Sequence, residues 1–210
     1  MKTTLLATLL MALAPTSALA SDAAQILATV QHLQPANDLP EAYAIAKAVQ
    51  THADASGLDW KLIVAILAQE SSLLRDPQRC YEGHRCTDLG IAQINWKTWA
   101  EPYALERDRI LIDPDYAIGV MAKILTHYRD TYGAKERHWF SRYNSATASY
   151  RALYQEKVLA KYAKIKAYER ELRSTEDKML RDGVRKACKD SGPLFCALWS
   201  PLASAKSGAR

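Results

Sequence analysis

The sequence predicts a mainly α-helical domain followed by a helical, basic C-terminal extension. Apolar residues recur at spacings of three and four over several long segments, which is the period of a helix that buries one face. No stretch alternates apolar and polar residues over enough positions to predict a long strand. With 210 residues, 49% of them hydrophobic, the chain has enough apolar side chains to form a sizeable core.

Two long helices are predicted in the first half of the chain. The first covers residues 40–56 and is closed by Gly57, because glycine accepts the left-handed conformation that often ends a helix. The second covers residues 60–74, with Asp59 as its N-cap. Residues 75–88 are predicted to form a loop, and a small β-hairpin within residues 82–93 is compatible with the pattern.

Three further helices are predicted in the second half. One begins at Asp113 and Pro114, because Asp is a good N-cap and Pro fits the first helical turn. A shorter one carries Trp139, Phe140 and Tyr143. The last one holds an apolar series at helical spacing: Tyr150, Leu153, Tyr154, Val158 and Tyr162.

The N-terminus has the layout of a secretory signal peptide. Lys2 precedes an apolar run over residues 5–14, and small residues end at Ala20. We therefore predict cleavage after Ala20, a periplasmic protein, and an N-terminal helix and linker over residues 21–39. The apolar run is too short for a stable transmembrane anchor; a retained anchor is the alternative.

Four cysteines in an exported chain indicate two disulfides. Of the three possible pairings, proximity favours the local one, Cys80 with Cys86 and Cys188 with Cys196. Metal binding is the competing interpretation, but the chain has no close Cys-x-x-Cys spacing, and His84 has no second ligand cluster nearby. We expect no metal site and no cofactor.

Glu70 is the first candidate for chemistry, because it falls on the apolar face at the end of a predicted helix. Ile63, Ile66 and Leu67 precede it by seven, four and three positions, so a helix places them on the same side. Burial raises the pKa of a carboxyl group, which suits a general acid near neutral pH. A surface glutamate at a helix end is the alternative for Glu70 alone, since fully buried Glu is rare.

Three short motifs occur in a fixed order around this helix. They are Glu70-Ser71, then Gly90-Ile91-Ala92-Gln93-Ile94, then Tyr143-Asn144-Ser145. In order and spacing they resemble the soluble lytic transglycosylases, a family with a goose-lysozyme-like fold, over residues 42–162. The sequence of residues 88–95, followed by Trp99, is most similar to that of small family members that accompany conjugation and secretion systems. The resemblance implies peptidoglycan strands as substrate and components of such a machine as further partners.

The resemblance also implies a role for each matching residue. A single glutamate, here Glu70, acts as acid and base and leaves a 1,6-anhydro end on muramic acid. Tyr143 is expected to direct its hydroxyl toward that carboxylate. The expected substrate-binding residues are Ser71, Gly90, Gln93, Ile94, Tyr143 and Asn144. Two departures stand out: Ala92 replaces a frequent Met, and Ala146 replaces a glycine often found after the third motif.

Two alternative functions follow from the same residues. Asp88 is the candidate for a second carboxylate, which would activate water and make the enzyme a lysozyme-type hydrolase; a turn or capping role is the other interpretation of Asp88. A catalytically inert peptidoglycan-binding assembly factor is the second alternative. Intact Glu70, Gln93 and Tyr143 argue against it, because a pure binder has no need of a carboxyl group on an apolar face.

The predicted domain covers residues 40–165, the predicted extension covers residues 166–210, and the basic character lies toward the C-terminus. From residue 151 onward there are 14 basic and 7 acidic residues, whereas residues 1–150 contain 14 basic and 16 acidic ones. The extension is therefore expected to bind acidic stem peptides, anionic lipid or a partner, with a solvated helix face as the alternative. Nucleic acid is disfavoured, because the sequence contains no recognised reader motif.

Overall fold

The computed structural model of the chain describes residues 14–75 and 87–191. The elements in these ranges are α1 (Ala14–Leu33), α2 (Leu39–Ser56), α3 (Trp60–Glu70), β1 (Asp88–Leu89), β2 (Ile94–Asn95), α4 (Trp96–Trp99), α5 (Arg107–Ile112), α6 (Pro114–Tyr132), a 3₁₀ helix (Trp139–Tyr143) and α7 (Ala148–Ser191). The predicted mainly α fold with a small hairpin is confirmed.

Three of the predicted disulfide residues, Cys80, Cys86 and Cys196, lie outside the described residues. The fourth, Cys188, belongs to the part of α7 whose side chains are also outside that description. Both disulfides therefore stay predictions.

Helix α3 is the most deeply buried element of the domain. All six residues from Ile63 to Ala68 are buried, so the helix is apolar on every side and needs neighbours all around it. Helix α2 packs against α1, α3 and α6. The predicted caps are confirmed, because the Asp59 carboxylate accepts from the Lys61 backbone N–H at 2.9 Å and Gly57 has φ 66°.

Helix α6 packs against α2 and begins as predicted. The Asp113 carboxylate accepts a hydrogen bond from the Tyr116 backbone N–H at 3.1 Å, and Pro114 occupies the first turn. Its buried face includes Ala117, Met121, Ile124 and Leu125. This helix also packs against α5, the 3₁₀ helix and β2, so it forms the framework behind the hairpin.

Helix α3 ends at Glu70, four residues before its predicted end. Ser72 and Leu73 adopt left-handed conformations, with φ 57° and 62°. Side-chain amides from the α1–α2 connection hold this turn: Gln34 Nε2 donates to the Ser72 carbonyl at 3.0 Å, and Asn37 Nδ2 donates to the Leu73 carbonyl at 2.9 Å. Long-range hydrogen bonds therefore satisfy carbonyls that a longer helix would have paired internally.

The hairpin lies slightly later in the chain than the predicted range. Its strands are antiparallel, with Asp88 opposite Asn95 and Leu89 opposite Ile94. The turn between them consists of residues 90–93, which form the centre of the second sequence motif. The short helices α4 and α5, which follow the hairpin, were not predicted.

The chain divides into two compact units, Met1–Lys166 and Ala167–Arg210. The first contains all elements up to the first half of α7. In the second, the described part is the rest of α7, where Arg173 and Glu169 form an ion pair at 2.8 Å, one helical turn apart. Of the helices that the structure describes, none is both long and apolar enough to span a membrane.

Candidate active site

Glu70 is the last residue of α3 and is half-buried. The residues one and two turns before it, Ile63, Ile66 and Leu67, are fully buried, which confirms the predicted apolar face. Ser71 follows as the C-cap and is 1% exposed. Its backbone N–H and its hydroxyl both donate to the Leu67 carbonyl, at 3.0 and 3.1 Å. Ser71 therefore terminates the helix that carries Glu70.

The hydroxyl group that contacts Glu70 comes from Tyr154 on α7. The Tyr154 O–H donates a hydrogen bond to Glu70 Oε1, and the tyrosine side chain is almost completely buried. Burial, and then the charge of Glu70 and this hydrogen bond, raise the pKa of Tyr154 well above its ordinary value. Tyr154 consequently stays protonated and serves as a fixed donor to the carboxylate.

Tyr143 differs from its predicted role as the direct partner of Glu70. Its O–H donates to the backbone carbonyl of Ala92 at 2.7 Å. Burial, then the charges of Glu70 and Asp88, raise the pKa of Tyr143 well above its ordinary value. Tyr143 thus lies within electrostatic range of Glu70 but ties the third motif to the second.

Residues 90–93 form a turn in which each motif residue has a defined backbone role. Gly90 has φ 66°, and a Cβ there would lie 2.2 Å from the Ile110 carbonyl oxygen, so only glycine fits. Gln93 also has a positive φ, 48°, and its Nε2 donates to the Gly90 carbonyl at 3.0 Å. Ile94 is fully buried. Hydrogen bonds within the turn thus fix its shape, and the turn presents the Ala92 carbonyl to Tyr143.

The two remaining polar candidates, Asp88 and Asn144, lie at the exposed edge of this region. Asp88 Oδ1 accepts from Asn95 Nδ2 at 2.8 Å, across the hairpin. Asn144 follows the 3₁₀ helix, and its backbone N–H donates to the Ser141 carbonyl at 3.3 Å. Within the described ranges, no group of three or more His, Cys, Asp or Glu side chains is arranged to hold a metal ion.

The structure thus connects all three motifs around one half-buried carboxylate. Glu70 lies at the end of α3, the Gly90–Gln93 turn contacts Tyr143 through Ala92, and α7 supplies Tyr154. Tyr154 is the site residue that the sequence motifs missed. One signal pointed to it: a tyrosine on an apolar helix face needs a buried partner for its hydroxyl group.

The family model described as Transglycosylase SLT domain matches residues 47–166. The match covers more than half of the chain and includes Glu70, the hairpin turn, Tyr143 and Tyr154. The protein belongs to the transglycosylase SLT domain family. Membership supports a lytic transglycosylase, a glycan lyase whose substrate is peptidoglycan. Searches of curated proteins and of solved structures gave no match.

Proposed function

We propose that this protein cleaves the β-1,4 bond between N-acetylmuramic acid and N-acetylglucosamine and leaves a 1,6-anhydro end. The observation that carries the proposal is the environment of Glu70. It is a half-buried carboxylate at the end of a fully buried helix, oriented by the hydroxyl of Tyr154. A carboxyl group in such a place suits both donation and removal of a proton.

In the proposed reaction Glu70 acts twice. The protonated carboxyl first gives its proton to the glycosidic oxygen, and the bond from that oxygen to the anomeric carbon breaks. The carboxylate then removes the proton of the muramic acid C6 hydroxyl, whose oxygen forms a bond to the anomeric carbon. Glu70 ends the cycle protonated, and no water is consumed. The N-acetyl group of the substrate stabilises the positive charge that develops between the two steps.

The remaining site residues receive positioning or binding roles in this proposal. Tyr154 holds the Glu70 carboxyl group in one orientation. The amide of Gln93 and the side chain of Asn144 bind sugar hydroxyl or amide groups, because both carry donors and acceptors. Gly90 and Ile94 shape the wall beside the sugar, and Ser71 fixes the helix end.

The proposal includes export to the periplasm, with residues 1–20 removed, since peptidoglycan lies outside the cytoplasm. A transglycosylase domain over residues 40–165 and a basic extension over residues 166–210 belong to the same proposal. Components of a secretion or conjugation machine are the proposed partners of the mature protein.

The variant Glu70→Gln tests the assignment most simply, because Gln keeps the shape of Glu but cannot exchange the proton. We expect release of muropeptides from purified sacculi to fall by about 100-fold or more, with unchanged circular dichroism and sacculus binding. Glu101→Gln, at an exposed position after α4, is the matched control and should keep full activity. A Glu70→Gln variant with more than half of the wild-type rate would refute the proposal.

A further inference from the structure

A polar cleft of about 320 Å³ lies between the 3₁₀ helix region and the first two turns of α7. Its lining includes Glu136, His138, Ser141, Arg151 and Gln155. None of these residues takes part in the proposed reaction. The volume is at the lower end of the roughly 300–1,000 Å³ typical of ligand sites, so the cleft fits one small group or the end of a chain.

Within residues 14–75 and 87–191, the charged side chains around this cleft are Glu136, Arg142 and Arg151, which leaves one cation in excess. Arg142 binds both carboxylate oxygens of Glu136, at 2.9 and 2.5 Å, and also lies over the ring of Tyr132 at 3.6 Å from its centroid. This bidentate ion pair neutralises the Glu136 carboxylate. Among the residues that the structure describes, Arg151 contacts one acceptor, Glu136, at a long distance of 3.4 Å. The guanidinium of Arg151 therefore keeps most of its donors available for another acceptor.

Two other features of the cleft favour a negative ligand. The first turn of α7 contains no acidic residue, so no side chain of the helix itself offsets the positive end of its dipole. Ser141 is only 5% exposed, and its hydroxyl makes no hydrogen bond with any residue that the structure describes. Because Ser141 lines the cleft, this hydroxyl can donate to an acceptor bound there.

The cleft is close to the reacting centre along α7. Arg151 precedes Tyr154 by three residues, about 4.5 Å along the helix axis, and Tyr154 contacts Glu70. A substrate bound beside Glu70 therefore needs a substituent of only a few residues to reach Arg151, since an extended residue spans about 3.5 Å. In peptidoglycan, the muramic acid next to that bond carries a short peptide with free carboxylates.

We propose that this cleft binds a carboxylate of the peptide carried by the substrate, with Arg151 as the charged partner and Ser141 and Gln155 as additional donors. The inference rests on the proposed function and adds a recognition element to it. Binding of the peptide carboxylate in the cleft makes cleavage faster for glycan strands that carry peptides than for bare strands. A neutral sugar would not require the excess cation.

The test compares Arg151→Gln with wild type on two substrates: intact sacculi, and glycan strands stripped of peptides by an amidase. We expect kcat/KM to fall about tenfold on the peptide-bearing substrate, as for loss of a hydrogen bond to a charged group, and by less than twofold on stripped strands. Lys157→Gln is the control, because Lys157 is exposed on the same helix and does not line the cleft. An equal loss on both substrates would show a structural role through Glu136, and no loss on either would also overturn the proposal.

A binding measurement separates this inference from the proposed reaction. A synthetic muramoyl peptide with free carboxylates, titrated into the Glu70→Gln protein, should bind at least tenfold more tightly than the same peptide with amidated carboxylates. Adding Arg151→Gln should remove that preference. No preference in the Glu70→Gln protein would overturn the inference. A wild-type protein that binds with this preference but cleaves neither substrate would instead refute the proposed function.

Discussion

Glu70 and Asp88 are two carboxylates in neighbouring parts of the site, but their surroundings are set by different means. Glu70 ends a buried helix and is contacted by a hydroxyl 84 residues later in the chain. Asp88 is exposed on a two-residue strand and is bonded to Asn95, seven residues later. Tertiary structure thus controls the environment of Glu70, whereas local hairpin pairing controls that of Asp88. The first arrangement suits proton transfer, and the second suits a structural role.

Removing the long-range contact should have the largest effect. In Tyr154→Phe the hydroxyl is lost but the aromatic ring still fills its buried position, so Glu70 loses its orienting donor. We expect kcat to fall about tenfold, with an altered pH profile measured by muropeptide release. The control is Tyr162→Phe, which removes a hydroxyl from the same helix, there bonded to Asp59 at 2.5 Å. Equal activities of the two variants would show that the contact with Glu70 does not assist the reaction.

The buried hydroxyl groups of Tyr143 and Tyr154 should make the protein less stable at high pH. Burial raises the pKa values of Tyr143 and Tyr154 in the folded state. The stability that the two protonated tyrosines contribute is therefore fully present below the ordinary tyrosine pKa of about 10 and is lost as the pH rises above it. Each tyrosine lowers the free energy of unfolding by at most about 1.4 kcal/mol per pH unit there. The Tyr143→Phe/Tyr154→Phe double variant should show a shallower decline in denaturant titrations between about pH 9 and 11. Identical slopes would contradict the burial of these hydroxyl groups.

Asp88 should show the smallest effect. The Asp88→Asn variant keeps the size of the side chain, and an amide oxygen still accepts the hydrogen bond from Asn95. We expect muropeptide release within about twofold of wild type, since surface substitutions of this kind seldom change stability by more than about 0.5 kcal/mol. Strong inactivation of a folded Asp88→Asn protein would indicate that Asp88 activates water, as in an inverting hydrolase.

Local signals predicted the helices that carry the site. Asp59 and Asp113 mark helix starts in the sequence, and both accept the expected capping hydrogen bonds. The buried face before Glu70 also followed from the spacing of Ile63, Ile66 and Leu67. These features depend on neighbours within one or two helical turns, which a single sequence contains.

Features that depend on distant partners were not predictable in the same way. Helix α3 ends at Glu70 and not at the predicted residue 74. Gln34 and Asn37, far upstream, bind the carbonyls of the turn that follows the helix. Gly90 is required by the carbonyl of Ile110 on α5, a helix of six residues too short to show a clear period. The contact of Glu70 with Tyr154, and not with Tyr143, joins α3 to a residue 84 positions later in the chain.

Mass spectrometry of the muropeptides released from purified sacculi tests the central claim most directly. If Glu70 alone serves as acid and base, the C6 hydroxyl of muramic acid attacks the anomeric carbon, and each released muramic acid end carries a 1,6-anhydro ring. That product has the mass of the corresponding hydrolysis product minus one water. Reducing muramic acid ends as the main product would show that water is the nucleophile and would contradict the account.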